Sequence, residues 1–166
     1  MYHTLNDFIN DWNYESKCTL KVFNALKDDM LNTKVHEKVR TAGVLAWHIT
    51  QSIKEMMERT GLKVEIEDHD QYPNWTVAAL LENYQKASAS LVSQLGANWN
   101  DATMEQVDNM YGENWKRGVT LSVLVNHQIH HRGQLEVVMR MCGLRVPGIY
   151  GPANEEWASM GMPAMQ

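Results

Sequence analysis

The sequence predicts an all-α fold, a four-helix bundle with long linkers and a C-terminal loop tail. Two observations carry this. The four prolines, Pro73, Pro147, Pro152 and Pro163, leave stretches 1–72 and 74–146 free of proline, the residue that breaks helix interiors at a cost of about 3 kcal/mol. Within those stretches, four segments repeat apolar residues at helical spacing.

The first segment spans about Leu5 to Leu31, with Phe8, Trp12, Cys18, Leu20, Val22, Phe23, Leu26 and Met30 as its stripe. Thr4-x-x-Asp7 resembles a capping box at its start. The second spans about Ala42 to Thr60, between Thr41 as N-cap and Gly61 as terminator. The third spans about Val77 to Leu95, flanked by Thr76 and Gly96. The fourth spans about Leu121 to Cys142, flanked by Thr120 and Gly143. Residues 97–119 read as irregular, with a short extended piece near Glu113–Val119. The tail from Leu144 reads as loop. The linkers after the second and third helices are long for a simple up-down bundle, so one of them is expected to cross the bundle end.

With 166 residues, the chain reads as one domain, 1–166, large enough for a core without staples. Cys18 and Cys142 are too few for a disulfide framework or a zinc ribbon, and are read as ordinary buried thiols. The net charge of −5 and the lack of a basic run argue against nucleic-acid binding. No signal peptide or membrane-spanning stretch is read, so the expected location is cytoplasmic.

The histidines carry the chemistry. Asn126-His127-Gln128-Ile129-His130-His131 places His127 and His131 one helical turn apart. They sit about 40° apart on a face shared with Val123, Leu124, Leu135 and Val138. Imidazoles in an apolar interior need a metal or several hydrogen-bond partners. His48, inward by pattern with Val44, Leu45, Ser52 and Met56, lies at a similar position in its own helix. His48, His127 and His131 together would make a three-nitrogen site with an open position, the arrangement of a catalytic rather than a structural metal. The plainer alternative is a chance pair on one helix and a satisfied core histidine.

Around this site, Gln134 and Glu55 lie near the ligand faces as candidates to orient the imidazoles, Glu55 nearer the bundle mouth. Otherwise Gln134 bonds to backbone and Glu55 is a solvated helix charge. His130 is read as a surface group. Arg132, Arg140 and Arg145 are read as favourable charges near the last helix's C-terminus, rather than as an anion clamp. Tyr150 and Trp157 are read as tail anchors rather than as a cover for the site. Gly43 and Gly133 are expected at close helix contacts, including a dimer interface. Eleven methionines and six tryptophans suggest an adaptable interior.

His127-x-x-His130-His131-Arg132-Gly133-Gln134-Leu135 resembles the tail signature of the DinB-like superfamily, also described as YfiT-like metal-dependent hydrolases. Leu45-Ala46-Trp47-His48-Ile49 resembles that family's histidine motif on its second helix. Val146-Pro147-Gly148-Ile149-Tyr150-Gly151-Pro152 resembles the loop after its last helix. The resemblance implies a four-helix bundle, often a homodimer, with a divalent metal (zinc, nickel or another transition ion) held by His48, His127 and His131. It further implies small-molecule substrates and, by similarity to relatives using bacillithiol, mycothiol or another thiol cofactor, a low-molecular-weight thiol as co-substrate. An ion with an open position suits two chemistries, activation of a thiol for S-transfer or of water for hydrolysis. S-transfer to electrophilic or xenobiotic substrates is the favoured expectation. Hydrolysis and non-catalytic metal binding in a stress-related dimer are the alternatives.

Overall fold

The computed structural model describes residues 1–163. It contains four long helices: α1 (Leu5–Phe23), α2 (Ala42–Glu58), α3 (Val77–Asn98) and α4 (Arg117–Met141). A two-stranded antiparallel hairpin, β1 (Val107–Met110) and β2 (Glu113–Lys116), precedes α4. Short 3-10 turns occupy Asp28–Met30, Asp101–Glu105 and Asn154–Met160.

Both α1 and α2 pack against α3 and α4, so α1 sits diagonal to α2, and α3 to α4. The α1–α2 and α3–α4 connections therefore run diagonally. Of the two linkers of which one was expected to cross, the one after the third helix does so and the one after the second does not, and the linker after the first helix crosses as well. Phe8, Trp12, Phe23, Ile49, Ile53, Tyr84, Leu91, Leu124 and Leu135 are fully buried in one continuous core. No helix among the described residues is long and apolar enough to cross a membrane.

The helix starts at Thr41 and Thr76 are borne out. Their hydroxyls accept from the N–H groups of Val44 and Ala79. Thr4 likewise caps α1, accepting from Asp7 N–H. Three boundaries differ from the sequence reading. Helix α1 stops at Phe23, where the Asn24 side-chain amide bonds back to the Leu20 carbonyl. Leu26 and Leu31 remain buried because the linker folds back onto the core, so their apolar spacing mimics a continuing helix. Helix α3 runs on to Asn98.

Helix α4 begins at Arg117, four residues early, and Thr120 lies inside its first turn with its hydroxyl on the Lys116 carbonyl. Gly118 permits this start. The Tyr2 carbonyl occupies the space a Cβ would need, and Tyr2 N–H donates to the Gly118 carbonyl.

The extended piece is β2, which begins at Glu113 as expected but ends at Lys116, and it pairs with β1 through Tyr111-Gly112. Both turn residues have positive φ (58° and 89°), the backbone of a type I′ hairpin turn. The tail is loop as expected, apart from the turn at Asn154–Met160.

Candidate metal centre

Three imidazoles converge where α2 meets α4. Ring nitrogens of His48, His127 and His131 all lie within 4.8 Å of one another. The ring centroids of His48 are 5.0 Å from His127 and 4.5 Å from His131, and those of His127 and His131 are 4.3 Å apart. Helical spacing explains the pair on α4, and the packing of α2 on α4 brings in the third.

His48 Nε2 and His131 Nε2 are 3.2 Å apart. Two nitrogens bound at 2.0–2.1 Å to one tetrahedral ion would lie about 3.3–3.4 Å apart, so this edge already has the right length. Gln134 Oε1 accepts from His131 Nδ1 at 2.9 Å. That leaves His131 Nε2 as the bare nitrogen, turned toward His48. The Gln134 amide also meets His130 Nε2 at 2.9 Å, and His130 is exposed as expected. His127 Nδ1 is buried without a hydrogen-bond partner, a costly state for an imidazole nitrogen and one that an ion or its ligand sphere relieves.

Electrostatics favour neutral rings. Burial, then the neighbouring His131 and Arg40 charges, pushes His48 down to about 4. Burial and the adjacent histidines push His127 down to about 4. Burial also lowers His131, partly opposed by its bond to Gln134. Neutral imidazoles with free lone pairs are what a metal needs, so the three residues fit a divalent ion.

Glu55 is not in the cluster. Its carboxylate accepts from Arg59 Nε at 2.9 Å and from the Tyr111 hydroxyl at 2.6 Å. It thereby pins the hairpin tip to α2 at the rim, although its charge still reaches His127.

The arginines correct the sequence reading. Arg132 is not a helix-end charge. It is 2 % exposed, and its guanidinium donates to the Glu15 carboxylate at 2.7 Å, to the Glu15 carbonyl at 3.1 Å and to Thr19 at 3.3 Å. The Tyr150 hydroxyl joins them at 2.8 Å from both Glu15 oxygens. Tyr150 thus anchors the tail, as expected, to α1 and α4. Arg140 makes a bidentate pair with Glu155, while Arg145 is exposed. Trp157 is half-buried within the last turn.

Sequence reasoning also missed Gln128, which is fully buried. Its amide donates to the Ile49 carbonyl at 2.7 Å, and its oxygen accepts from the Tyr84 hydroxyl at 3.3 Å. The available signal was its place one residue after His127, with Arg132 one after His131.

The glycines and cysteines divide. Gly43 marks a close contact, but with the Tyr72 ring of the α2–α3 linker, 2.6 Å from where a Cβ would stand, rather than with a helix. A Cβ at Gly133 would meet nothing within 4 Å, so no close helix contact exists there. Cys18 is buried, which raises its thiol pKa. Cys142 is only partly buried, because the helix ends there.

The fold and site define a diagonal four-helix bundle with a three-histidine cluster between two of its helices. Residues 1–165 match the model of the DinB family, and the chain belongs to that family. It is 39% identical over 165 residues to YrdA of Bacillus subtilis (strain 168), covering 99% of this chain and 98% of YrdA. A DinB-like protein of Bacillus cereus ATCC 10987 has a crystal structure with a TM-score of 0.85 at 34% identity, covering 90% of this chain and all of that one. The DinB-like protein YjoA of B. subtilis shares the fold at a TM-score of 0.66 and 18% identity, over 86% of this chain and 96% of that one.

Proposed function

We propose that this chain, acting as one unit over 1–166, is a metal-dependent enzyme in which His48, His127 and His131 hold a divalent transition ion, zinc or nickel. The carrying observation is the convergence of three neutral imidazoles from α2 and α4, one edge already at 3.2 Å. Bound there, an ion with an open coordination position supplies Lewis-acid activation of a thiol or of water.

The chain's own residues prepare that chemistry. Burial keeps the three rings neutral, so their lone pairs are free at pH 7. Gln134 fixes the orientation and tautomer of His131. Leu45 and Val138 place apolar surface beside His131. Tyr111 and Glu55 hold the hairpin at the rim.

The reaction we favour is S-transfer from a low-molecular-weight thiol to a small electrophilic or xenobiotic substrate, within a cytoplasmic homodimer. Its support is the resemblance of the histidine motifs to those of relatives that use a thiol, rather than a particular contact. Metal-assisted hydrolysis is the second reading. The same open coordination position that would hold a thiolate would also hold an activated water.

Elemental analysis of wild type, His48→Ala and His127→Ala tests the core of this. Near-stoichiometric metal in wild type, lost in both variants at unchanged helical circular dichroism, is expected. Metal absent from wild type even after reconstitution would overturn the reading. Thiol consumption in step with substrate then separates transfer from hydrolysis, and saturable turnover that vanishes with the metal excludes a purely binding role.

A further inference from the structure

A groove runs beside the histidine cluster, between the α1–α2 linker and the outer side of α4. Its volume, about 540 Å³, falls in the range of small-molecule sites. Leu45, Val137, Val138 and Met141 form its apolar wall. Val137 and Met141 are 59% and 58% exposed, so their part of the wall faces solvent uncovered, while Leu45 and Val138 form its buried floor. His131 and Gln134 join the lining, and the linker adds Lys38 and Arg40.

The side-chain charge lining this groove is of one sign. The chain has 20 acids against 15 lysines and arginines. Arg59, Arg117, Arg132 and Arg140 each hold a carboxylate. Arg40 and Lys38 hold none among the described residues, and no carboxylate lines the groove. The field of Arg40 reaches all three histidines, where it adds to the effect of burial. Two unmatched cations over an apolar wall are complementary to one ligand chemistry, an acid group on a hydrophobic body.

We propose that this groove binds a small organic monoanion, its acid group held by Arg40 and Lys38 and its apolar body laid along Val137, Val138 and Met141. As a substrate pocket it rests on the functional reading above; as a binding site it does not, because neither cation nor wall depends on an ion.

The test is titration of metal-free protein carrying methyl-labelled methionine, read at the Met141 methyl resonance, with octanoate and its neutral isostere octanamide as probes. Met141→Leu assigns the signal. Metal-free protein prevents the carboxylate from simply ligating an ion. Octanoate is expected to shift Met141 saturably, and octanamide to bind about tenfold more weakly, as for loss of one charge-assisted contact. Arg40→Gln, at an exposed linker position, should weaken octanoate about tenfold and leave octanamide unchanged, with Lys38→Gln doing less.

Equal binding of the two probes, indifference to Arg40→Gln, or no Met141 shift would overturn the proposal. So would a Met141 resonance that shifts with protein concentration as sedimentation shows a dimer forming, which would place Met141 between two copies. Zinc retention measured on the same protein keeps the two ideas apart. Octanoate binding without zinc retention preserves the groove and removes the metal, and the reverse result does the opposite.

Discussion

Helix α4 carries two polar pairs at the same spacing, one residue out of step. His127 and His131 face α2. Gln128 and Arg132 turn about 100° further round, toward α1, α3 and the Ile49 carbonyl. The second pair is satisfied by fixed protein groups: Gln128 by Ile49 and Tyr84, Arg132 by Glu15, Thr19 and Tyr150. In the first pair, His131 has Gln134 and otherwise meets His48, while His127 keeps a buried nitrogen with no partner. Buried polar groups in folded proteins are nearly always paired. The difference teaches that burial of polar side chains has two meanings on one helix. The Gln128–Arg132 pair holds α4 in place, and the histidine pair is left with capacity for a further ligand.

The largest effect should come from breaking the satisfied pair. Arg132→Met strands the Glu15 carboxylate, whose side chain is only 10% exposed. Removing one partner of a buried pair costs about 3–5 kcal/mol, roughly 6–20 °C of melting temperature for a chain of this size. Adding Glu15→Gln should recover much of that loss. Thermal melts of both variants check it, and a small loss in the single variant would show that the pair is not what fixes α4.

The histidine pair should respond in the opposite sense. His48→Ala or His127→Ala should leave the metal-free melting temperature near wild type, since no satisfied network is lost. Zinc at a hundredfold excess over its dissociation constant should stabilise wild type by about 2.7 kcal/mol and leave the variants unmoved. Gln134→Ala removes the acceptor that orients His131 and should weaken zinc binding about 10- to 100-fold. Competition with a chelator reads both. Equal zinc stabilisation of wild type and His127→Ala would erase the distinction between the two pairs.

The two regions also differ in how far the sequence reveals them. His127 and His131 show themselves by spacing, and His48 by the apolar residues around it, because a histidine among Leu and Val is conspicuous. Arg132 is not conspicuous. A charged residue in the last turns of a helix ordinarily serves the helix end, and its partner Glu15 is 117 residues away, a pairing no local pattern encodes. Gln128 is hidden for the same reason, since its partners are the Ile49 backbone and the Tyr84 hydroxyl. The overrun of α1 has a related cause. Leu26 and Leu31 are buried like helix residues, and periodicity cannot tell a helix from a linker folded back onto the core. The hairpin was half legible because its turn uses Tyr111-Gly112, which lacks the Asn-Gly signature of type I′ turns.

Acid sharpens the comparison more gently. His48 and His127 titrate near 4 in the fold against 6.5 in an open chain. The unfolded state therefore binds more protons between those values, and stability falls as the pH drops through that window. Above about 6.5 both states are neutral and the stability is flat with respect to these groups. The solvent that still reaches the rings makes the loss smaller than the full shifts would give. Urea midpoints of metal-free protein from pH 7.5 to 4.5 should show this decline, and His48→Ala should flatten it. An equally steep decline in His48→Ala and His127→Ala would place the acid sensitivity elsewhere in the molecule.

The smallest expected effect tests the residue that follows the two pairs. Gly133 follows Arg132 and precedes Gln134, yet a Cβ there would meet nothing within 4 Å. A helix interior prefers alanine to glycine, mainly because glycine leaves the unfolded chain freer. Gly133→Ala should therefore raise stability by about 0.4–1 kcal/mol and change neither zinc affinity nor the Arg132–Glu15 pair. Thermal melts and chelator competition on the same variant measure the two separately. A loss of stability would mean that this face of α4 is covered in solution by something a methyl group obstructs. Sedimentation of the variant beside wild type would then show whether a second copy of the chain is the cover.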